Sequence, residues 1–392
     1  THTEPAKQAI TALDVPFCSM LLYDHSVGMD VRQLEQKLAT IRKVQDKLKV
    51  LDEIAARYYG KDNFQKAATY YQQAETLAPA GNPRAYFQGL EGICYFLMNQ
   101  DEEAYRALTG AKEMLHPDEK DFDPEIFGLV HYFLGSLYEH DEKNEASLES
   151  RLEAFEYMKH LHPEAQWMLL AGMSRNYEFQ GDFHKAVKFN KDAISLISQD
   201  DPEIVDIFES LGCSSYELGE YDKALEYFSR VLELDEDFER QEDIYFNIGL
   251  CNQRLLNFRM ALDSYVKLLE LKELQPSPGP LGWLYIEIVH CYYSLKEHEK
   301  SVEFVEKGLK APIEDKAEKA EFHSYLANNY HDMGRFEEAV EAGEQTLKIS
   351  DEFHHIEILL TNLALSYHQL GNSEKFEHYR DWCNRDFPDL GW

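Results

Sequence analysis

The stretch Leu211-Gly-Cys-Ser-Ser-Tyr-Glu-Leu-Gly-Glu-Tyr-Asp-Lys-Ala-Leu-Glu-Tyr-Phe228 decides the fold. Gly212 places no side chain where two helices must touch, and an aromatic follows about a turn later. Gly219-Glu220-Tyr221 ends the first helix and opens a second, in which Ala224 and Phe228 lie one turn apart on the same face. Working outward, this order recurs with a period of about 34 residues, most clearly in Ile207–Asp235, Tyr245–Leu271 and Phe322–Ser350. Such a period specifies a solenoid of helical hairpins, each burying its apolar face only by stacking on its neighbours.

Composition bounds the function. The 392 residues are 44% hydrophobic, yet no apolar run approaches the roughly 20 residues of a membrane span, and no signal-peptide core follows Thr1. A cytoplasmic location is the expectation, and Thr1 in place of Met points to processing or trimming. The six cysteines are scattered without Cys-x-x-Cys pairs, so they should be reduced thiols. Net charge is −33, from 39 Lys and Arg against 72 Asp and Glu. Residues 1–60 hold eight of each sign and sum to zero, which leaves the whole excess in the repeats. Such a surface repels phosphate backbones and anionic lipid, so neither nucleic acid nor membrane is an expected partner of the repeats. The charge reads either as solubility of a long solenoid or as a groove that attracts a cationic or neutral peptide.

The small, aromatic, turn, Ala and aromatic positions resemble those of the tetratricopeptide family over residues 48–385. That resemblance implies an all-α, right-handed superhelix of about nine hairpins. They read as Leu48–Gly81, Ala85–Glu119, Gly128–Pro163, Trp167–Asp200, Val205–Asp237, Glu242–Glu273, Gly282–Glu314, Ala320–Asp351 and Glu357–Asp389. Residues 1–47 form a helical N-terminal segment and 48–392 the repeat domain. Within the former, Leu34, Leu38, Ile41, Val44 and Leu48 predict one helix from Val31 to Lys49 that feeds the first repeat. The second and third repeats lack several pattern residues, and charge over Asp141–Arg151, where a second helix should begin, predicts a bent or lengthened unit. Gln275-Pro-Ser-Pro-Gly-Pro280 predicts a hinge loop at 275–280, since proline denies backbone donors and fixes extended angles. Asp381–Trp392, with Trp382 and Trp392, should cap the last apolar face.

In stacked hairpins the first helix of each pair faces a concave groove, and register names its candidate peptide-binding residues. They are Arg175 in the fourth repeat, Tyr216 in the fifth, Asn247 and Gln253 in the sixth, and Trp283, His290 and Tyr293 in the seventh. The eighth adds Tyr325, Asn328 and His331, and the ninth Asn362. An Asn side chain offers both acceptor and donors, so it can pair with the C=O and N–H of an extended peptide. Aromatics between amides supply apolar pockets for its side chains. The alternative reading of each Asn is a bond to the neighbouring repeat.

Phe246-Asn-Ile-Gly-Leu-Cys-Asn-Gln253, Leu326-Ala-Asn-Asn-Tyr-His-Asp332 and Leu360-Thr-Asn-Leu-Ala-Leu-Ser-Tyr367 resemble the Asn-bearing first helices of the Rap/NprR/PlcR peptide-pheromone receptors. The resemblance implies a bacterial quorum-sensing sensor whose asparagines grip the backbone of a short peptide. It is confined to the repeats: residues 1–47 are too short and too neutral for a helix-turn-helix, and they show no phosphatase bundle. The carboxylate clamp of heat-shock co-chaperones is missing, since Asp52, Ala56, Leu90, Tyr132 and Phe133 occupy its positions.

No catalysis is expected. His160, His162, His354, His355 and His368 lack the one-turn spacing and carboxylate partner of a metal site, so neither metal nor cofactor is expected. Cys94, Cys251 and Cys291 share an interior register point and read as packing thiols, with Cys213 at the groove edge. The sequence therefore describes a receptor for a short peptide or for an extended segment of a partner protein, with homodimer formation open. The alternative is a scaffold that organises larger proteins.

Overall fold

A computed structural model describes residues 30–159, 166–234, 238–275, 279, 281–311, 313, 315–353 and 355–388. Among these residues there are nineteen helices and no strand. Helix α1 (Val31–Thr40) precedes nine hairpins. The first four are α2 (Val44–Tyr59) with α3 (Phe64–Leu77), α4 (Asn82–Leu97) with α5 (Asp101–Met114), α6 (Pro124–His140) with α7 (Asn144–Met158), and α8 (Gln166–Phe179) with α9 (Phe183–Ile194). Then come α10 (Ile204–Glu217) with α11 (Tyr221–Leu234), α12 (Phe238–Arg254) with α13 (Phe258–Glu273), and α14 (Gly282–Ser294) with α15 (His298–Gly308). The chain ends in α16 (Lys316–Asp332) with α17 (Phe336–Ile349) and α18 (Ile356–Gln369) with α19 (Ser373–Asp386). It divides into two compact units between Ser214 and Ser215, within α10.

Every hairpin closes in the same way. One residue after the first helix takes a left-handed conformation: Asp62, Asn99, Glu142, Gly181, Gly219, Leu256, Lys296, Gly334 and Gly371, with φ between 55° and 74°. The next residue reaches back five positions to the last turn, as in Asn63 N–H to Tyr58 C=O at 2.9 Å, Asp182 to Tyr177 at 2.9 Å and Asn257 to Asn252 at 2.8 Å. This satisfies carbonyls that a helix end leaves orphaned, and it aims the chain into the second helix.

Packing follows the periodic pattern. Ala224 and Phe228 are both fully buried, and Gly249 lies against the ring of Tyr265, where any Cβ would collide. In the first unit one apolar cluster runs from Leu51 to Leu169. Among the described residues of the second unit, separate clusters form around Tyr265 and Leu284, around Val289 and Phe322, and around Leu360 and Tyr379. Cys94, Cys251 and Cys291 are buried and Cys213 is exposed.

The single helix expected over Val31–Lys49 is two, broken at Ile41–Lys43. Leu34 packs in one cluster with Val50 and Ile54. In a continuous helix Leu34 and Val50 would lie about 24 Å apart at 1.5 Å per residue. The chain must fold back, and it does so where Ile41 becomes extended. The third hairpin pairs helices of 17 and 15 residues, and Arg151, at the end of the charged stretch, is buried in an ion pair with Glu139. Trp382 packs on the last cluster and donates to Asp386 at 2.8 Å. The expected hinge at 275–280 falls largely on Pro276–Pro278 and Pro280, and these, like Trp392, His160, His162 and His354, lie outside the described residues.

Of the nine turn positions, Leu256 fits least: it is left-handed, β-carbon-bearing and 72% exposed. Leu256→Gly removes the steric penalty at the cost of some backbone entropy, and it should raise unfolding free energy by roughly 0.5–1 kcal/mol. Chemical denaturation measures the gain, with Gly219→Leu expected to show the converse loss.

Candidate functional site

In the first unit the charge that sequence reading placed at a helix start is a buried ionic cluster. Arg151 of α7 lies between Gly135 of α6 and Gly172 of α8, both of which would clash with it if they carried a Cβ. Its guanidinium donates to Asn176 Oδ1 at 2.7 Å, to Ser147 Oγ at 3.0 Å and to the Gly172 carbonyl at 3.2 Å, and it pairs with Glu139. Arg175 Nε donates to the other Glu139 oxygen at 2.9 Å. Burial pushes the Glu139 carboxyl up, but Arg175 and Arg151 outweigh it and hold the group at about 2. Arg175, a candidate ligand contact, thus spends part of its guanidinium on the neighbouring repeat while its side chain stays 44% exposed. Glu178, one turn on, accepts from Ser214 Oγ at 2.7 Å and from Ser210.

The first helices of the second unit carry the other candidates. Tyr216 OH accepts from Arg254 Nε at 3.2 Å. Gln253 of α12 donates to Glu287 of α14 at 2.6 Å, where burial pushes the carboxyl upward. Trp283 stands edge-on to Phe246 at 5.2 Å and is 40% exposed, whereas His290 packs against Phe258 at 5.9 Å. Asn247 is half-buried and has no hydrogen-bond partner among the described residues.

The densest group spans α14, α16 and α18. Tyr293 packs edge-to-face on Tyr325 at 6.0 Å, and burial beside Asp332 pushes its hydroxyl's pKa upward. Asn362 Nδ2 donates to Asn328 Oδ1 at 2.9 Å, and His331 Nδ1 lies 2.8 Å from Ser366 Oγ. Asn328 is buried. Its amide donors and the Asn362 oxygen are not taken up by any described residue. The structure therefore brings Tyr293, Tyr325, Asn328, His331 and Asn362 together. Gln253, Trp283 and His290 sit on the neighbouring pair of first helices, and Arg175 belongs to the other unit.

These bonds share a spacing: Glu139 with Arg175 and Glu178 with Ser214 are 36 apart, Gln253 with Glu287 and Asn328 with Asn362 are 34. Each links the same level of successive first helices. Sequence reading missed Glu139, Glu287 and Ser366, although stepping one period back from Arg175 and one forward from Gln253 and His331 points to them. Not every Asn of the motif faces this wall. Asn329 donates to Ser301 Oγ at 2.9 Å and to the Tyr325 carbonyl at 2.7 Å, and Asn252 donates to the Ile248 carbonyl of its own helix. Both are structural.

Among the described residues no group of three His, Cys, Asp or Glu is placed to hold a metal ion, and no helix is long and apolar enough to cross a membrane. Residues 205–238 and 324–350 match the tetratricopeptide repeat family. The crystal structure of the apo form of RapI is 16% identical, with 88% of this chain and 98% of that one covered and a TM-score of 0.50. A tetratricopeptide repeat protein from Parabacteroides merdae is 14% identical, covering 72% and 99%, with a TM-score of 0.42. At these identities the likeness is one of fold. The chain carries tetratricopeptide repeats and has the all-α architecture of an interaction scaffold.

Glu139→Gln would leave Arg151 buried without its counter-charge and should destabilise the protein by about 3–5 kcal/mol. Because the folded carboxyl titrates below its ordinary range, its contribution is present above pH 4.5 and lost as pH falls toward 2. Denaturant titrations across that window should show a slope in the wild type that the variant lacks.

Proposed function

We propose that this chain is a receptor for a short peptide, or for an extended segment of a partner protein, held along the first helices of its second unit. The observation that carries the reading is the Tyr293, Asn328 and Asn362 group. Two amides from successive repeats fix one another at 2.9 Å and leave one set of donors and one acceptor uncommitted. A peptide unit presents the complementary C=O and N–H. Because the amides are already oriented, little rotamer entropy remains to be lost on binding. Asn247, half-buried and unpartnered among the described residues, extends the same chemistry to α12.

Within this reading we place the protein among cytoplasmic peptide sensors of the quorum-sensing kind that the Asn-bearing helices resemble. The likeness to RapI over nearly the whole of both chains is compatible with it at the level of fold.

Panning a random octapeptide display library against the whole chain, then titrating the selected peptides calorimetrically, tests the proposal. Asn328→Ala and Asn362→Ala should each weaken binding by about 1–3 kcal/mol with helicity unchanged, since a buried peptide group would lose its partner. Failure to select any peptide, or equal affinity in both variants, would leave a scaffold for larger proteins.

A further inference from the structure

In the second unit a cleft of about 710 Å³ opens at the N-terminal ends of α14 and α16, just ahead of α18. Trp283, Ile286, Ala317 and Phe353 form its apolar part, and Asp315, Glu318, Glu321 and Glu352 line the rest. Among the lining residues there is no Lys, Arg or His. We propose that this cleft takes an arginine side chain of the bound segment, stacked on the Trp283 indole with its guanidinium among the carboxylates. The inference rests on the peptide reading and adds to it a side-chain pocket and a required residue.

Three observations carry it. First, the cleft gathers acids with no base among its lining residues; Asp315 caps α16 by accepting from the Ala317 N–H at 2.8 Å. Glu344, by contrast, has Lys375 at 2.8 Å, and Glu139 has two arginines. Asp315, Glu318 and Glu352 make no ion pair among the described residues. Glu318 is half-buried against Gly282, where a Cβ would leave its carboxyl no room, and desolvation with the neighbouring Asp315 pushes that carboxyl upward. Like charges this close repel, and an incoming cation relieves the repulsion.

Second, the aromatic wall is exposed and held in place. Trp283 is 40% exposed, and its perpendicular contact with Phe246 fixes the indole. Indole faces attract cations more strongly than other rings, and a planar guanidinium can stack there while its fork donates to two carboxylates at once, which an ammonium cannot do. Third, the cleft adjoins the proposed groove along the chain: Trp283 lies on the helix that carries Tyr293, and Glu318 and Glu321 on the helix that carries Asn328. A segment gripped at its backbone by the asparagines would thus present a side chain toward the N-terminal ends of the same helices.

The probes are acetyl-Gly-Gly-Arg-Gly-Gly-amide and the same peptide with Gln in place of Arg, titrated into the whole protein by NMR of the indole N–H resonances. The Arg peptide should bind at least tenfold more tightly. That gap should close in the isosteric Glu318→Gln/Glu352→Gln variant and in Trp283→Leu, and it should narrow as salt is raised. Equal or undetectable binding of the two peptides to the wild type overturns the inference, as does a gap that survives those substitutions. Asn362→Ala separates the two readings. If it weakens both peptides while no gap exists, the groove stands and the arginine pocket falls. If the gap exists and Asn362→Ala changes neither affinity, the pocket stands and the backbone grip falls.

Discussion

The constraint on which the structure depends is a single left-handed residue in each hairpin. A helix that simply ended would leave its last carbonyls unsatisfied and its exit direction undefined. One αL residue followed by a bond reaching back five positions settles both, and the chain repeats this nine times from Asp62 to Gly371. The same turn geometry thus sends each first helix into its second. The apolar faces then meet at constant register, and equivalent positions on successive first helices fall opposite one another. The side-chain ladder at 34–36-residue spacing is a consequence of this turn chemistry.

The ladder has two chemistries. In the first unit it is ionic and closed: Glu139, Arg151 and Arg175 satisfy one another, and Gly135 and Gly172 make the space for them. In the second unit it is built from amides, hydroxyls and rings, each with capacity left over. A closed ionic cluster chiefly fixes the register of the helices it joins, since desolvation consumes much of the Coulombic attraction. An amide ladder with spare donors and acceptors remains available for recognition.

Much of this was legible in the sequence. Gly219, Ala224 and Phe228 announced turn, contact and core, and the hairpin count followed from the period. Three features were hidden for physical reasons. The break at Ile41–Lys43 carries no Gly or Pro, and its apolar spacing suits one helix as well as two; only the long-range contact of Leu34 with Val50 and Ile54 requires the reversal. Arg151 looked like a surface charge because burial of an ion depends on partners from other helices, 12 and 25 residues away. The Trp283 cleft draws on two repeats and the loop before the last hairpin, which no reading within one repeat can assemble. The inner wall lay between these extremes. Its residues could be named by register, but whether Asn328 faced a ligand or Asn362 depended on the side-chain geometry of the adjoining repeat.

The uneven division of the apolar core bears on how the molecule breathes. A cluster continuous from Leu51 to Leu169 makes the first three hairpins share one interior, so opening any of them exposes surface belonging to its neighbours. The smaller clusters described in the second unit can open one at a time at lower free-energy cost. Its protected amides therefore form several exchange groups of graded lifetime, and the amide ladder sits where these groups meet. A guest that spans those boundaries would fuse them into a single cooperative block, so that occupancy would be registered first as a change in fluctuation.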